Sequence, residues 1–355
     1  MGFSTKVSSA FAANGIGPAV HGKYRDRGYA VRPLVDALGT PIERNATATE
    51  AFTLAGLDWT AERRPLTYAA AADGTLLPAV GRIALVRSDN DALLGVHGTG
   101  YTPIQHSSLI SVLDYLRENV TIENVLSLHQ GRRVFATASF DCESEVSEGD
   151  KVRRYLHLFN SFDGSSSFGI FFSDVRLQCA NQLAYLTGRA FSAAESAGAG
   201  LRCRHTVSAS AFAERLPALI DLERQQFAKS LDDYKLMADT KLSVDLARRI
   251  LESTYSDKLA HPITDKSTKE KRERTLEDLP EITTIRSHYS GETGLGTSAY
   301  RGTAFGLFNA ITQFETHDAG RTTDDLERAR TRLESLWGGA SSKRIARAKQ
   351  ACLSA

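Results

Sequence analysis

The sequence predicts an α+β fold, in which an antiparallel β-hairpin and sheet core is flanked by helices and followed by a helical C-terminal half. Two observations carry this prediction. Between residues 80 and 176, short apolar and alternating segments follow one another, with polar turns and a single helical segment between them. Beyond residue 206, apolar residues recur at helical spacing. Consecutive hairpins without alternating helices favour α+β over a doubly wound sheet.

The elements of the first half are predicted in order. Residues 82–98 contain two apolar runs around a polar turn at 88–90, which indicates a hairpin. A helix follows, with Ser107 or Ser108 as its cap. A second hairpin is expected to turn at Gln130-Gly131, and further strands follow it before position 177.

The second half is predicted to be mainly helical. The pattern becomes helical at residues 180–188, and a long helix is expected over about residues 208–237. Ser243 is placed as the cap of the next helix. Three more helices are expected after position 300, and the last of them is basic and spans residues 342–352.

Composition shifts divide the chain into five predicted parts. They are a variable N-terminal arm (1–50), the α+β core (51–190), a long-helix region (206–256), a charged flexible loop (257–282) and a C-terminal helical region (283–355). We find no internal repeat.

The composition is that of an ordinary globular protein, with 42% apolar residues, 24% charged residues and a net charge of +1. A charge this small gives no global attraction to nucleic acid or to an anionic membrane, so such binding would need a local patch. We find no signal peptide and no bilayer-length apolar run, and the four cysteines lack C-x-x-C spacing. We expect a cytoplasmic protein with free thiols, no metal and no cofactor.

No catalytic residue is predicted. The nine histidines are dispersed, and no Ser/His/Asp or Cys/His set can be defined. A surface or helix-end role is favoured for His317, which lies in the segment FETHD. The glycine-rich segment 290–302 lacks the Lys-Ser/Thr ending of a phosphate-binding loop, so a connector is the favoured interpretation.

Five cations and two aromatic residues form a candidate nucleic-acid-binding site. If the second hairpin's outer strand pairs with the strand after it, we expect the cations to gather at one edge of the sheet, beside stackable rings. The alternative is that they are solvated strand ends. The residues are Arg132, Arg133, Lys151, Arg153, Arg154, Tyr155 and Phe159. A second basic face is expected on the last helix, at Lys343, Arg344, Arg347 and Lys349.

The segment NSFDGSSS forms a candidate polar turn at Asn160, Asp163, Gly164 and Ser165. Aspartate and asparagine side chains commonly satisfy backbone donors in such turns, which favours a structural role. The alternative is a polar site that contacts an anionic ligand or a cation. Both interpretations stay open at this point.

Several motifs occur together in one order along the chain: GYTPIQH, GRRVFATASF, YLHLFNSFDGSSSF, VRLQCANQL, RHTVSASAFAERL and GTAFGLFNAITQFETHD. This set resembles the phage/plasmid-like proteins of domain-of-unknown-function family 932 over roughly residues 80 to 340. The resemblance adds Asn181 to the polar positions of interest. The family usually has His where this chain has Phe162 and Trp where it has Phe305, which puts a catalytic histidine in the turn in doubt.

The resemblance implies a gene product of phages, prophages or plasmids, where members are encoded near DNA-processing and antirestriction genes. The element order is also similar to the core of Redβ/RecT-type single-strand-annealing proteins. We therefore expect a homo-oligomer that binds single-stranded DNA and promotes annealing. The alternative is a non-enzymatic interaction or antirestriction factor that binds a host protein, which the small net charge favours. A metal-dependent nuclease using Asp163 is a third hypothesis, although no carboxylate cluster has ligand spacing.

Overall fold

The computed structural model of the protein describes residues 38–177, 181–185, 201–203, 205, 216–264, 270–291, 300–320, 324–336 and 339–354. Antiparallel sheets and helices make up these segments, so the predicted α+β class is confirmed. The long helices of the described part follow residue 216, in agreement with a helical C-terminal half.

The larger sheet has seven strands in the described part of the chain: β1 (Thr40–Pro41), β5 (Val120–Leu128), β6 (Arg133–Ser147), β7 (Asp150–Ser161), β8 (Phe168–Arg176), β9 (Asn181–Tyr185) and β10 (Leu201–Cys203). Its order is β1-β5-β6-β7-β8-β10, and β9 pairs with the other half of the same edge of β8. A short 3-10 segment, His129–Gly131, joins β5 to β6, so the turn predicted at Gln130-Gly131 is confirmed.

A second sheet has three antiparallel strands: β2 (Ala61–Ala69), β3 (Leu76–Arg87) and β4 (Leu93–Gly98). The β3–β4 pair confirms the hairpin predicted at 88–90, whereas β2 was not predicted. Helix α1 (Ala48–Leu54) precedes this sheet, and helix α2 (His106–Leu116) follows it with Gln105 as its N-cap residue. The N-terminal arm expected over 1–50 therefore ends in regular structure, since β1 pairs with β5 and α1 begins at Ala48.

The helices of the second half are α3 (Leu216–Asp239), α4 (Val244–Thr254), α5 (Ser256–Leu259), α6 (Pro280–Ser290), α7 (Ala304–Gln313), α8 (Asp325–Leu336) and α9 (Ala340–Leu353). A π-helical turn, Phe314–Asp318, continues α7. The Ser243 hydroxyl accepts a hydrogen bond from the Leu246 amide at 3.1 Å, so the predicted cap is confirmed. Residues 208–215, where the long helix was expected to begin, lie outside the described residues.

Two predictions for the second half are wrong. Residues 181–185 form a strand and not a helix, because they return along β8 and pair with its end. The charged segment 257–282 is not a loop throughout: it contains most of α5, the two-residue strands β11 (Ile263–Thr264) and β12 (Lys271–Arg272), and the start of α6. Arg272 fastens this segment by donating from Nη1 to the Asp278 carboxylate at 2.7 Å.

The larger sheet lies between two apolar layers. On β7, Leu156 and Leu158 belong to the core cluster that contains α1, α2 and Leu85 of the smaller sheet. Phe159 points to the opposite face and packs in the cluster formed by the later helices. Alternate side chains of one strand therefore bind two different layers, as strand geometry requires.

Candidate functional site

The predicted cations do not gather at one edge of the sheet, so this expectation is wrong. Strands β6 and β7 are antiparallel, with Arg133 opposite Ser161 and Glu143 opposite Arg153. Residues 133 and 143 of β6 are about 30 Å apart at the rise of an extended strand. Because a hairpin places the start of one strand beside the end of the next, Arg132 and Arg133 lie at one end and Lys151, Arg153 and Arg154 at the other.

The cations at the second end are paired with carboxylates. Arg153 forms ion pairs with Glu143 and with Glu123, the latter at 3.4 Å. Lys151 lies 2.9 Å from the second oxygen of Glu143. A phosphate group would therefore compete with these carboxylates for the two cations.

Three of the seven candidate residues are buried in the interior. Arg154 is 3% exposed and forms an ion pair with Asp174, whose second oxygen accepts a hydrogen bond from the Tyr234 hydroxyl at 2.8 Å. Tyr155 and Phe159 are 2% and 3% exposed. In this conformation neither ring is accessible for stacking on a base, and Arg154 joins the sheet to α3.

The second basic face is also used in internal contacts. Arg344 and Arg347 of α9 both form ion pairs with Asp257 of α5, with Arg344 at 2.6 Å. Lys349 lies 3.0 Å from Asp233 of α3. These pairs fasten the last helix to its neighbours, and Lys343 is the exposed member of the predicted set.

The polar turn is stabilised from within. The Asp163 carboxylate accepts hydrogen bonds from the Ser161 hydroxyl and the Ser165 amide, both at 2.8 Å, and from Arg133 Nε at 3.1 Å. Burial raises the pKa of Asp163, but the bonds from Ser165 and Ser161 and the Arg133 charge outweigh it, so its pKa lies below its usual value. Gly164 has a φ of 76°, which suits glycine. These contacts favour the structural role for Asp163.

Arg133 and Asn160 connect the turn to neighbouring segments of the fold. Arg133 also binds Glu334 of α8 at 3.1 Å, so the turn is tied to the helical layer. The fully buried Asn160 donates through Nδ2 to the Ile104 carbonyl at 2.7 Å. Asn181 is the first residue of β9, and its side chain lies outside the described part.

Residues that the sequence reasoning missed pack against this turn. Tyr101, from the motif GYTPIQH, stacks between His97 and His205, with ring centroids 3.8 and 4.9 Å away. Its hydroxyl donates to the Ser161 carbonyl at 3.3 Å, and His97 Nε2 lies 2.8 Å from the Phe162 carbonyl oxygen. The occurrence of Tyr101 and His205 in separate family motifs was the available signal.

Two of the three rings in this stack are uncharged: Tyr101 at its centre and His205 at one end. Burial raises the pKa of the Tyr101 hydroxyl, and the nearby Asp163 charge raises it further. Burial lowers the pKa of His205 to about 4, with a smaller contribution from His97. Tyr101 and His205 therefore carry no charge near neutral pH, which suits rings that hold a turn in place.

A surface of a different kind lies on the smaller sheet. Six of the eleven large hydrophobic side chains exposed in the described residues belong to it. Residues 62–82, the outer parts of β2 and β3 with their turn, are here called the β-arm; none of them is buried. The six side chains are Tyr68, Leu76, Leu77, Val80, Leu93 and Val96.

Charge is unevenly distributed along the β-arm. Its base has exposed Arg63, Arg64 and Arg82, with Glu62 paired to Arg64 at 2.6 Å. Its tip has Asp73, whose carboxylate accepts from the Thr75 amide at 2.9 Å. Hydrogen bonds from Thr75 hold the pKa of Asp73 below its usual value, so the tip is anionic.

The structure therefore defines an α+β protein with two features of interest. One is the polar turn of the NSFDGSSS segment, which Arg133 ties to the helical layer. The other is the β-arm, whose apolar side chains are exposed. No group of His, Cys, Asp or Glu in the described part is arranged to hold a metal ion, and none of its helices has the length and apolar character needed to cross a membrane. The chain belongs to the family described as domain of unknown function (DUF932), whose model matches residues 93–337. No curated protein and no solved structure matches the chain.

Proposed function

We propose that the protein is a non-enzymatic binding protein of phage or plasmid type, which acts in the cytoplasm by docking its β-arm and the attached sheet against another macromolecule. The concentration of exposed apolar side chains on this one sheet carries the proposal. Exposed apolar surface concentrated on one element typically marks an interaction site, because burying it gains roughly 25 cal/mol per Å².

A protein is the partner class that this surface favours. The cations predicted to contact phosphates at the start of β7 are already paired, as Lys151 and Arg153 are with Glu143. The apolar side chains of the β-arm are exposed, so a partner with an apolar surface can cover them without breaking an internal contact. The small net charge of +1 points in the same direction.

Single-stranded DNA is the second candidate, and the base of the β-arm supports it. Arg63, Arg64 and Arg82 are exposed there, and Tyr68 offers an exposed ring further along the ribbon. Cations beside a stackable ring are what sequence-neutral single-strand binding needs. If the ligand is single-stranded DNA, the protein would have the annealing role expected from the likeness to Redβ/RecT-type proteins. The DNA would then contact the β-arm and not the ends of β6 and β7.

A fluorescence-anisotropy titration with a labelled single-stranded oligonucleotide at two salt concentrations tests the second candidate. The double variant Arg63→Ala/Arg82→Ala should bind more weakly, and its salt slope should fall by about one for each phosphate that the protein no longer neutralises. Arg286→Ala is the matched control, because Arg286 is an equally long, exposed cation on α6. Absence of binding by the folded wild-type chain at low salt rejects DNA as the ligand.

Crosslinking with host extract, read by mass spectrometry, tests the first candidate. Crosslinks from the β-arm to one partner should disappear in Leu76→Ser/Leu77→Ser and persist in Leu326→Ser, which changes an exposed leucine of α8. A partner that both variants capture equally well would show that the β-arm is not the docking surface.

A further inference from the structure

We propose that the partner of the β-arm is a second copy of this chain, and that two β-arms pack face to face in opposite directions about a two-fold axis. This inference rests on the proposed function and specifies its partner. Three features of the β-arm support it: the exposed area, the shape of the sheet edge and the distribution of charge.

The β-arm is a two-stranded ribbon that is exposed on both faces. Leu76 and Leu77 are neighbours on β3 and so point to opposite faces, and they are 69% and 39% exposed. A ribbon of two strands has little stability in water unless something packs against it. The six exposed side chains of the sheet present on the order of 600 Å² of surface over its two faces, so one face supplies part of the ~800 Å² per partner of a standard interface and neighbouring surface supplies the rest.

The free edge of β2 is poorly suited to pairing with another strand. Pro65 lies in this edge strand and has no amide hydrogen, and the register with β3 shifts between Pro65 and Thr67. Gly81 faces this irregular stretch with a φ of 77°. Contact through the faces of the ribbon, where the apolar side chains are, is therefore favoured over extension of the sheet.

The charges of the β-arm specify the direction of packing. Its base is net cationic, because Arg63, Arg64 and Arg82 outnumber the single carboxylate of Glu62, and its tip has the anionic Asp73. In an antiparallel pair each tip lies near the base of the other copy, so opposite charges meet twice. A parallel pair would bring the arginine-rich bases together. A two-fold arrangement of this kind closes on itself and gives a dimer.

Sedimentation equilibrium of the full chain over a wide concentration range tests the inference. We expect a monomer–dimer equilibrium that Leu76→Glu/Val80→Glu weakens by at least tenfold. Both side chains are highly exposed, so this variant should fold, which circular dichroism and the melting temperature will verify. Leu326→Glu is the matched control and should dimerise like the wild type, because Leu326 is also exposed but lies on α8.

A charge-reversal pair tests the direction of packing. Asp73→Arg and Arg82→Glu should each weaken the dimer, and the double variant should regain part of the affinity, because the charges of both contacts are then reversed together. Additive losses in the double variant would contradict the antiparallel arrangement.

A wild-type chain that remains monomeric at high concentration, or a dimer that the Leu76/Val80 variant leaves intact, would overturn the inference. Neither result decides the proposed function, because the crosslinking and oligonucleotide experiments can be run at concentrations low enough to keep the chain monomeric. Failure of the inference and failure of the proposed function are therefore distinguishable.

Discussion

The bond between Tyr234 and Asp174 should be essential for joining α3 to the larger sheet. Tyr234 is fully buried, and its hydroxyl donates to Asp174 on β8 at 2.8 Å. Burial first and the Asp174 charge second raise the pKa of this hydroxyl well above its usual value, so it stays protonated and donates. The other oxygen of Asp174 binds Arg154, so one carboxylate connects a helix to two strands.

Replacing Tyr234 by Phe removes the hydroxyl and keeps the ring. The ring still packs between Phe305 and Phe308, so the packing loss is small. The substitution removes a hydrogen bond to a buried charged group, which typically contributes about 1.5–3 kcal/mol. We therefore expect the free energy of unfolding to fall by about 2 kcal/mol, which corresponds to roughly a thirtyfold increase in the unfolded fraction.

Urea unfolding monitored by circular dichroism measures this change. Tyr115→Phe provides the matched control, since Tyr115 is 55% exposed on α2, and should leave the midpoint within experimental error. A loss below about 0.5 kcal/mol in Tyr234→Phe, which is typical of surface substitutions, would refute the reasoning. Asp174→Asn should cost more, about 3 kcal/mol, because it also removes the charge that pairs with Arg154.

Two further predictions concern stability. Burial and the Arg87 charge lower the pKa of His106 to about 4, whereas an unfolded histidine titrates near 6.5. The neutral His106 therefore contributes fully to stability above pH 6.5. This contribution, up to roughly 3 kcal/mol, is lost as the pH falls towards 4. The urea midpoint of His106→Phe should vary less with pH over this range than that of the wild type. Gly131→Ala should cost about 2 kcal/mol in thermal melts, because Gly131 has a φ of 98° and an added Cβ would lie 2.6 Å from the Trp59 ring. Gly149→Ala, with a φ of 78° and no atom near the added Cβ, isolates the backbone strain; equal losses at both glycines would contradict the clash with Trp59.

The parts of the fold that sequence predicts well are those with local causes. Three features are stabilised directly by their own residues: the turn at 88–90, the turn at Gln130-Gly131 and the cap at Ser243. Strand β9 has no such cause: residues 181–185 are compatible with a helix, and their pairing with β8 decides the outcome. The pairing partners, from Arg176 with Asn181 to Ser173 with Tyr185, lie on the preceding strand, so the pattern within residues 181–185 does not reveal them.

The candidate site failed for a related reason. Arg133 and Arg153 are close in sequence, and the hairpin between them was expected to bring them together. That expectation was conditional on the pairing of β6 with β7; the two strands do pair, but the length of β6 separates the two cations along the hairpin. Burial of Tyr155 and Phe159 was equally hidden, because they share one side of β7 with the polar residues Lys151, Arg153 and His157, although the strand is buried over most of its length. The β-arm was not predicted, because both of its faces are exposed. Its sequence therefore lacks the alternation of apolar and polar residues that indicates a strand with one buried face.

The position of the family match bears on where partners bind. The match begins at Leu93, so the β-arm precedes it. Within the match, motif residues such as Asp163, Tyr101 and His205 hold the turn between the layers. The family motifs therefore account for residues that hold the fold together. A fold by itself does not determine which ligand a protein binds. Under the proposed function, partner choice would depend on surfaces outside these motifs, such as the exposed β-arm.

Removal of the β-arm tests this separation of scaffold and binding surface. Pro65 is paired with Ile83, so replacing residues 66–82 by Asn-Gly should close a short hairpin and keep the buried Leu85 in place. None of the removed residues is buried, and we expect the melting temperature to change little. The shortened chain should lose dimerisation and every β-arm crosslink. If it fails to fold, the β-arm belongs to the core and the separation is wrong; if it folds and still dimerises, the interface lies elsewhere.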